Sequence, residues 1–264
     1  MDRNPVVSGQ FYPAQKELLA QEVRSFLQGH PRSKPTLLSM VPHAGYVFSG
    51  AVCGKTLAQS NLKSTILLLG PNHTGRGQRL ALWPDGKWYL PGGYLQVAEE
   101  ISSRLLSHSL LQQDYEAHLF EHSLEVILPF LFYRNPEIKI IPICVAEHNL
   151  QFLKDVADFL AAQLSPEEVT IIVSSDMSHY IPHHLAEQKD KKTLQYILQL
   201  DPRGFINFIQ KEHVSMCGVL PMLLGLFMVQ HWGASCGVLI DYRTSGEVNK
   251  DFNQVVGYAG VIIE

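Results

Sequence analysis

The chain has 264 residues, 46% of them hydrophobic, with 21 Lys plus Arg against 25 Asp plus Glu and a net charge of −4. Nucleic-acid binding needs a basic stripe that neutralises phosphates, and none occurs; the densest basic patch, KDKK at 189–192, reads as the solvated face of a helix. The length fits one large α/β domain, and with no linker-like, repeated or low-complexity stretch a single domain over 1–264 is expected.

The N-terminal MDRNPVVSGQ lacks the apolar core of a signal peptide. The longest apolar run, VLPMLLGLFMV at 219–229, is broken by Pro221 and Gly225. It falls short of the roughly 20 residues that span a bilayer. Cys53, Cys144, Cys217 and Cys236 form no C-x-x-C pair, which fits reduced thiols and a cytoplasmic location.

In chain order, the patterns predict a helix over 15–28, a strand at TLLSMV (36–41), a helix over 50–60 and a strand at STILLLG (64–70). QRLALWPDGKWYLP (78–91) carries two short alternating runs around a PDG turn and reads as a β-hairpin. Helices over 94–107 and 121–133 follow, then the strand IKIIPICV (138–145), a helix over 150–164 and the strand VTIIVSS (169–175). Helices over 183–199, 204–212 and 217–230 precede the closing strands GVLIDY (237–242) and VVGYAGVII (255–263). Apolar strands alternating with helices predict a mostly parallel sheet covered on both faces. Ligands in such sheets bind outside the carboxyl ends of the strands.

Three of those ends carry polar chemistry. VPHAGYVFSG places His43 just past the first strand, LLLGPNHTGRG places His73 past the second, and IIVSSDMSHY places Asp176 and His179 past a third. Each alone is explained by a cap or a structural hydrogen bond; Asp176, for one, suits a helix N-cap. Together they point to one polar site, because a parallel sheet brings its strand ends to one edge. MCGVLPMLLGL puts Cys217 at the start of an apolar helix, where free amides and the helix dipole favour a thiolate. The bland reading, a small buried hydrophobe, suits the other three cysteines better. In EHSLEVILPFL, Glu121 and Glu125 share a helical face. Glu121 and His122 there read either as a carboxylate cap or as groups aimed into the same cleft.

Two histidines and a soft or carboxylate third ligand, with positions left open, suit iron(II), copper or zinc. An Asp–His pair beside them suits a general acid/base, the carboxylate fixing the imidazole tautomer. GPNH lacks the companion D-x-H and G-D-x-x-D elements of metallophosphoesterases. No G-x-S-x-G elbow, Rossmann fingerprint or P-loop is present. A metal-free hydrolase with Cys217 as nucleophile stays open as an alternative.

Taken in order, VSGQFYP, PHAGYVFSG, LGPNH, EHSLEVILPFL, SSDMSHY, MCG and VVGYAG resemble the Memo family, called AmmeMemoRadiSam system protein B in prokaryotes. The resemblance implies a fold similar to LigB-type class III extradiol dioxygenases, which use non-haem iron(II). It implies a metal site of His43, His73 and Cys217, with Asp176 and His179 in the place of dioxygenase acid/base groups. Tyr46 and Asn72, from the PHAGY and GPNH motifs, join Glu121 and His122 as candidates to line the cleft. Cysteine in place of a carboxylate ligand makes the site softer and favours redox-active iron or copper, so extradiol dioxygenase activity is not expected. The family's usual EHSxEVQLPFL has Gln where this chain has Ile127. The system name implies partners in an AmmeMemoRadiSam system protein A and a radical-SAM protein, and a homodimer is a further expectation. A different class of reading, also implied by the family, is a non-catalytic scaffold that holds a peptide or protein in the same cleft.

Overall fold

The computed structural model describes residues 1–264. α1 (Lys16–Phe26) is followed by β1 (Leu38–Val41), α2 (Tyr46–Gln59) and β2 (Thr65–Pro71). Short elements come next: β3 (Leu80–Leu82), β4 (Lys87–Leu90), β5 (Gly93–Val97), α3 (Glu99–Leu106), β6 (Gln112–Gln113) and α4 (Glu116–Leu119). A 3-10 turn at Glu125–Ile127 leads into α5 (Leu128–Arg134), β7 (Lys139–Val145), α6 (Leu150–Gln163), β8 (Val169–Ser174) and β9 (His179–Ile181). The chain closes with α7 (His183–Leu198), α8 (Pro202–Glu212), α9 (Val219–His231), β10 (Gly237–Thr244), α10 (Gly246–Asn249) and β11 (Val255–Ile263).

One mixed sheet runs in the order β10-β11-β1-β8-β2-β7-β3-β6. Its centre, β1-β8-β2-β7, is parallel, while β11, β10 and β3 join antiparallel at the flanks. Successive residues of the central strands feed opposite layers. Leu67, Leu69, Ile171 and Val173 pack into one apolar cluster, and Ile66, Leu68 and Ile172 into the other. That two-sided burial is why these strands read as unbroken apolar runs. α9 is apolar on all sides because the sheet, α6 and α8 cover it. No helix is long and apolar enough to cross a membrane.

The six long strands and most helices lie where the patterns place them; four local expectations change. Both runs of 78–91 are strands, but β4 pairs with β5, turning at Gly92 (φ 101°), while β3 joins β7 and β6. The hairpin is therefore 87–97, one strand later than PDG implied. The helix expected from 94 begins at Glu99, because Gly93–Val97 alternates buried and open positions as a strand. The helix expected from 121 starts only at the 3-10 turn, so Glu121 and Glu125 do not share a face and point to different partners. Ile127 is fully buried in the core, so the family's glutamine position is not cleft lining here.

Glu125 anchors the N-terminus. It accepts from Val6 N and Val7 N at 2.9 Å, from the Tyr12 hydroxyl at 2.8 Å and from Arg3 Nη1 at 2.8 Å. Arg3 is itself buried over the Trp88 ring at 4.5 Å and donates to the carbonyls of His118 (2.9 Å) and Glu121 (2.6 Å). The first residues of the chain therefore pin the loop that carries Glu121 and His122.

His118 is buried with Nε2 at 2.9 Å from the Ala81 carbonyl, so Nε2 carries the proton and Nδ1 faces the Cys144 thiol at 3.4 Å. Burial drives its pKa down from 6.5 to about 4. The folded state takes up this proton less readily than the unfolded chain, so stability falls as pH drops from 6.5 towards 4. The gap corresponds to about 3 kcal/mol. His118→Gln is expected to remove that part of the acid slope, read from urea unfolding at neutral and mildly acidic pH. An unchanged slope would rule His118 out as its source.

Candidate metal centre

β1, β8 and β2 are neighbours in the sheet, so their carboxyl ends deliver His43, Asp176 and His73 to one edge. His43 follows Val41 by two residues and is 2% exposed. Its Nδ1 lies 2.7 Å from Ser174 Oγ, which donates its only hydrogen to the Ser123 carbonyl at 2.6 Å. Ser174 must then accept from His43, so Nδ1 bears the proton and Nε2 is left open. That Nε2 sits 3.3 Å from Cys217 Sγ.

His73 is held in the same manner. Its Nδ1 lies 2.9 Å from Glu121 Oε1, and its backbone N–H donates to Glu121 Oε2. Burial works to raise the Glu121 pKa, but the His73 hydrogen bond and charge, with the Ser123 N–H, hold the carboxylate down at about 2. An ionised carboxylate only accepts, which puts the proton on His73 Nδ1 and frees Nε2. Asn72 Oδ1 accepts from Thr74 N (3.1 Å), Thr74 Oγ1 (2.8 Å) and Gly75 N (3.0 Å), so Asn72 shapes the His73 loop from within.

Cys217 lies before the Gly218 N-cap of α9 and arrives at the edge because Gly218 has no side chain. A Cβ there would stand 2.8 Å from the Ser174 carbonyl oxygen and 2.6 Å from Ser175 Oγ. Sγ accepts from Asp176 N–H at 3.1 Å. Burial and the Asp176 carboxylate push the thiol pKa up, and burial pushes His43 down, so the Cys217–His43 pair is neutral without a compensating cation. The dipole-stabilised thiolate expected from the sequence is therefore not formed by the protein alone. Gly218→Ala is expected to cost about 1–3 kcal/mol through overpacking and to displace Cys217. Thermal unfolding with thiol-reactivity measurements checks both effects; unchanged values in both would refute the close-approach argument.

The ligand atoms of His43, His73 and Cys217 all lie within 4.8 Å of one another. Donors about 2.0–2.3 Å from a shared ion stand roughly 3–4 Å apart, so this set fits a divalent ion with only slight closure. His73, Glu121 and His122 form a second cluster of the same size. There Glu121 is already committed to His73 and Ser123, so it orients the His73 ring. The His122 ring stacks on His73 (4.8 Å, 19°) and stands edge-on to His43 at 5.4 Å and tilted against Phe11 at 4.8 Å, which places it in the cleft.

Asp176 and His179 flank this group without bonding to each other. Asp176 Oδ1 accepts from His43 N–H at 2.9 Å, and burial raises its pKa. His179 takes its tautomer from the Ser215 carbonyl, 2.8 Å from Nδ1, and not from Asp176 as the sequence implied. Tyr46 does not line the cleft: it is buried against Tyr12 and Phe130, with its hydroxyl on the Val126 carbonyl at 2.8 Å. Ser174 and Ser123, which support the histidines, carried no signal beyond that of ordinary serines.

A family model described as Memo-like protein matches residues 3–262. The chain belongs to the Memo family. A MEMO1 family protein of Methanopyrus kandleri is 39% identical, covering 99% of both chains, and one of Aquifex aeolicus is 36% identical, covering 98% of both. An uncharacterized protein of Escherichia coli K12 is similar in structure, with a TM-score of 0.54 at 13% identity over 85% of this chain and 98% of that one. At that identity the likeness concerns the fold alone. The motifs PHAGY, GPNH and MCG each supply one of the groups that meet at the sheet edge, and EHS supplies two, Glu121 and His122.

Proposed function

We propose that this Memo protein binds a redox-active divalent metal, iron or copper before zinc, through His43 Nε2, His73 Nε2 and Cys217 Sγ. The observation that carries the reading is that one ligand atom from each of the three residues lies within 4.8 Å of the others, while both imidazole Nδ1 atoms are engaged by Ser174 and Glu121. Two imidazoles and a thiolate form a soft donor set suited to such ions. When bound, the ion would supply electron transfer or Lewis-acid polarisation. His179 is the group to move a proton at its free Nε2, and Asp176 fixes the His43 backbone. The substrate is a small molecule or partner protein; the family's system name supports a place beside an AmmeMemoRadiSam system protein A and a radical-SAM protein, and four cysteines without a C-x-x-C pair support a cytoplasmic location.

Elemental analysis after anaerobic, reducing purification tests the reading. One equivalent of iron or copper is expected, retained in His179→Ala and Asp176→Asn. A site that takes up no metal under those conditions overturns it.

A second reading, a docking module without turnover, draws on exposed apolar side chains close in sequence to the site residues. Tyr180 (71% exposed) follows His179, Phe120 (58%) precedes Glu121, and Val47 (66%) lies four residues beyond His43. A module would keep partner binding in His179→Ala, whereas an enzyme would lose turnover and keep its metal. The metal-free Cys217 hydrolase receives no support from a neutral thiol–imidazole pair.

A further inference from the structure

The supports of His43 and His73 meet at a single residue. Ser123 takes the Ser174 hydrogen on its carbonyl (2.6 Å), and Ser174 in turn accepts from His43. Its N–H donates to Glu121 Oε1 at 2.9 Å, the same oxygen that receives His73 Nδ1–H at 2.9 Å. Its hydroxyl donates to the carbonyl of Pro71, two residues before His73, at 3.0 Å. Ser123, Ser174 and Glu121 are all at least 98% buried, so water does not compete for these bonds. Gly70 completes the junction: a Cβ there would stand 2.8 Å from Ser123 Oγ and 2.5 Å from Leu124 Cδ2. Only glycine on β2 lets the 123–124 segment approach that strand this closely.

We propose that Ser123 is a positioning residue that joins the supports of His43 and His73 into one unit, so that the two Nε2 lone pairs are presented together and disturbing one support disturbs both. The chain His43–Ser174–Ser123–Glu121–His73 runs through hydrogen bonds and a single peptide residue, with every hydrogen assigned. The inference rests on the proposed metal site for its use. The coupling itself is a property of the protein without metal.

Two measurements test it. In metal-free protein, nitrogen NMR of the imidazoles at a pH where both are neutral is expected to show the Nδ1–H tautomer at His43 and His73. Ser174→Ala is expected to populate the Nε2–H form at His43 and also to shift the His73 resonances, although Ser174 does not touch His73. A His73 spectrum unchanged by Ser174→Ala overturns the coupling, whatever the metal does. Cobalt(II) titration, followed by the thiolate-to-cobalt band, is expected to show about 10- to 100-fold weaker binding for Ser174→Ala and for Glu121→Gln. The double variant should lose little more than the worse single one; losses that multiply would overturn the proposal. Wild-type protein that binds no cobalt would count against the metal reading alone, because the NMR comparison still decides the coupling. Glu121→Gln conserves shape and Ser174→Ala removes a single buried oxygen, and thermal unfolding of each variant confirms that it is folded.

Discussion

His43→Ala is expected to weaken metal binding by more than about 100-fold, beyond the 10- to 100-fold typical of losing an orienting partner, while His179→Ala leaves binding nearly unchanged. The contrast comes from where each ring points. His43 Nε2 faces Cys217 Sγ at 3.3 Å and is buried, so no other donor replaces it. Its removal also takes away the partner that lies beside a thiol already disfavoured as thiolate by burial. His179 is anchored on the Ser215 carbonyl, in neither of the ligand clusters. Competition against a chromophoric chelator, with elemental content of each variant, measures the difference. Equal affinities for the two variants would remove His43 from the ligand set. Cys217→Ser keeps the shape but hardens the donor, and its loss should be greater for copper than for zinc.

Arg3→Met is expected to lower stability by about 3–5 kcal/mol, the range for removing one partner of a buried ion pair. The guanidinium neutralises a carboxylate with no solvent exposure and donates to the carbonyls of His118 and Glu121 in the loop. Glu125 would keep its bonds from Val6, Val7 and Tyr12, but as a buried anion without a cation. Replacing both members with Met should cost less than the two single losses combined, because the double variant strands no charge. Chemical denaturation of the three variants measures this cycle; additive losses would show that the pair is not energetically coupled. Since Arg3 also holds the Glu121 carbonyl, the single variant should loosen His73 as well as destabilise the fold.

Sequence pattern reached the sheet because central strands buried on both faces leave long apolar runs that few other structures produce. It failed where elements are short. β6 and β9 have two and three residues, too few for any period, and the 93–97 strand was absorbed into a helix that begins two residues later. His43, His73 and Asp176 were legible because strand ends are predictable and polar residues there are conspicuous. Cys217 could be placed near them only by resemblance, since nothing in spacing says that α9 starts beneath β8. The serines at 123 and 174 were illegible for another reason: a hydroxyl reveals its role only through the partner it meets, and these partners are about 50 residues apart. The Asp176–His179 spacing invited a bonded pair, but the left-handed turn at Tyr180 (φ 56°) and the Ser215 carbonyl take His179 elsewhere.

The place of β1 in the sheet has a consequence for how the protein comes to exist. The strand that leads to His43 lies between β8 and β11, elements made long after it. On the ribosome, β1 emerges with both lateral neighbours still unsynthesised, and its ladder closes only when residues 255–263 have left the exit tunnel. A nascent chain therefore carries His43 and His73 without a finished edge, and Cys217 emerges well after both. A metal held by His43, His73 and Cys217 would then load only after residues 255–263 have joined the sheet, and removal of β11 should leave a product that holds it poorly.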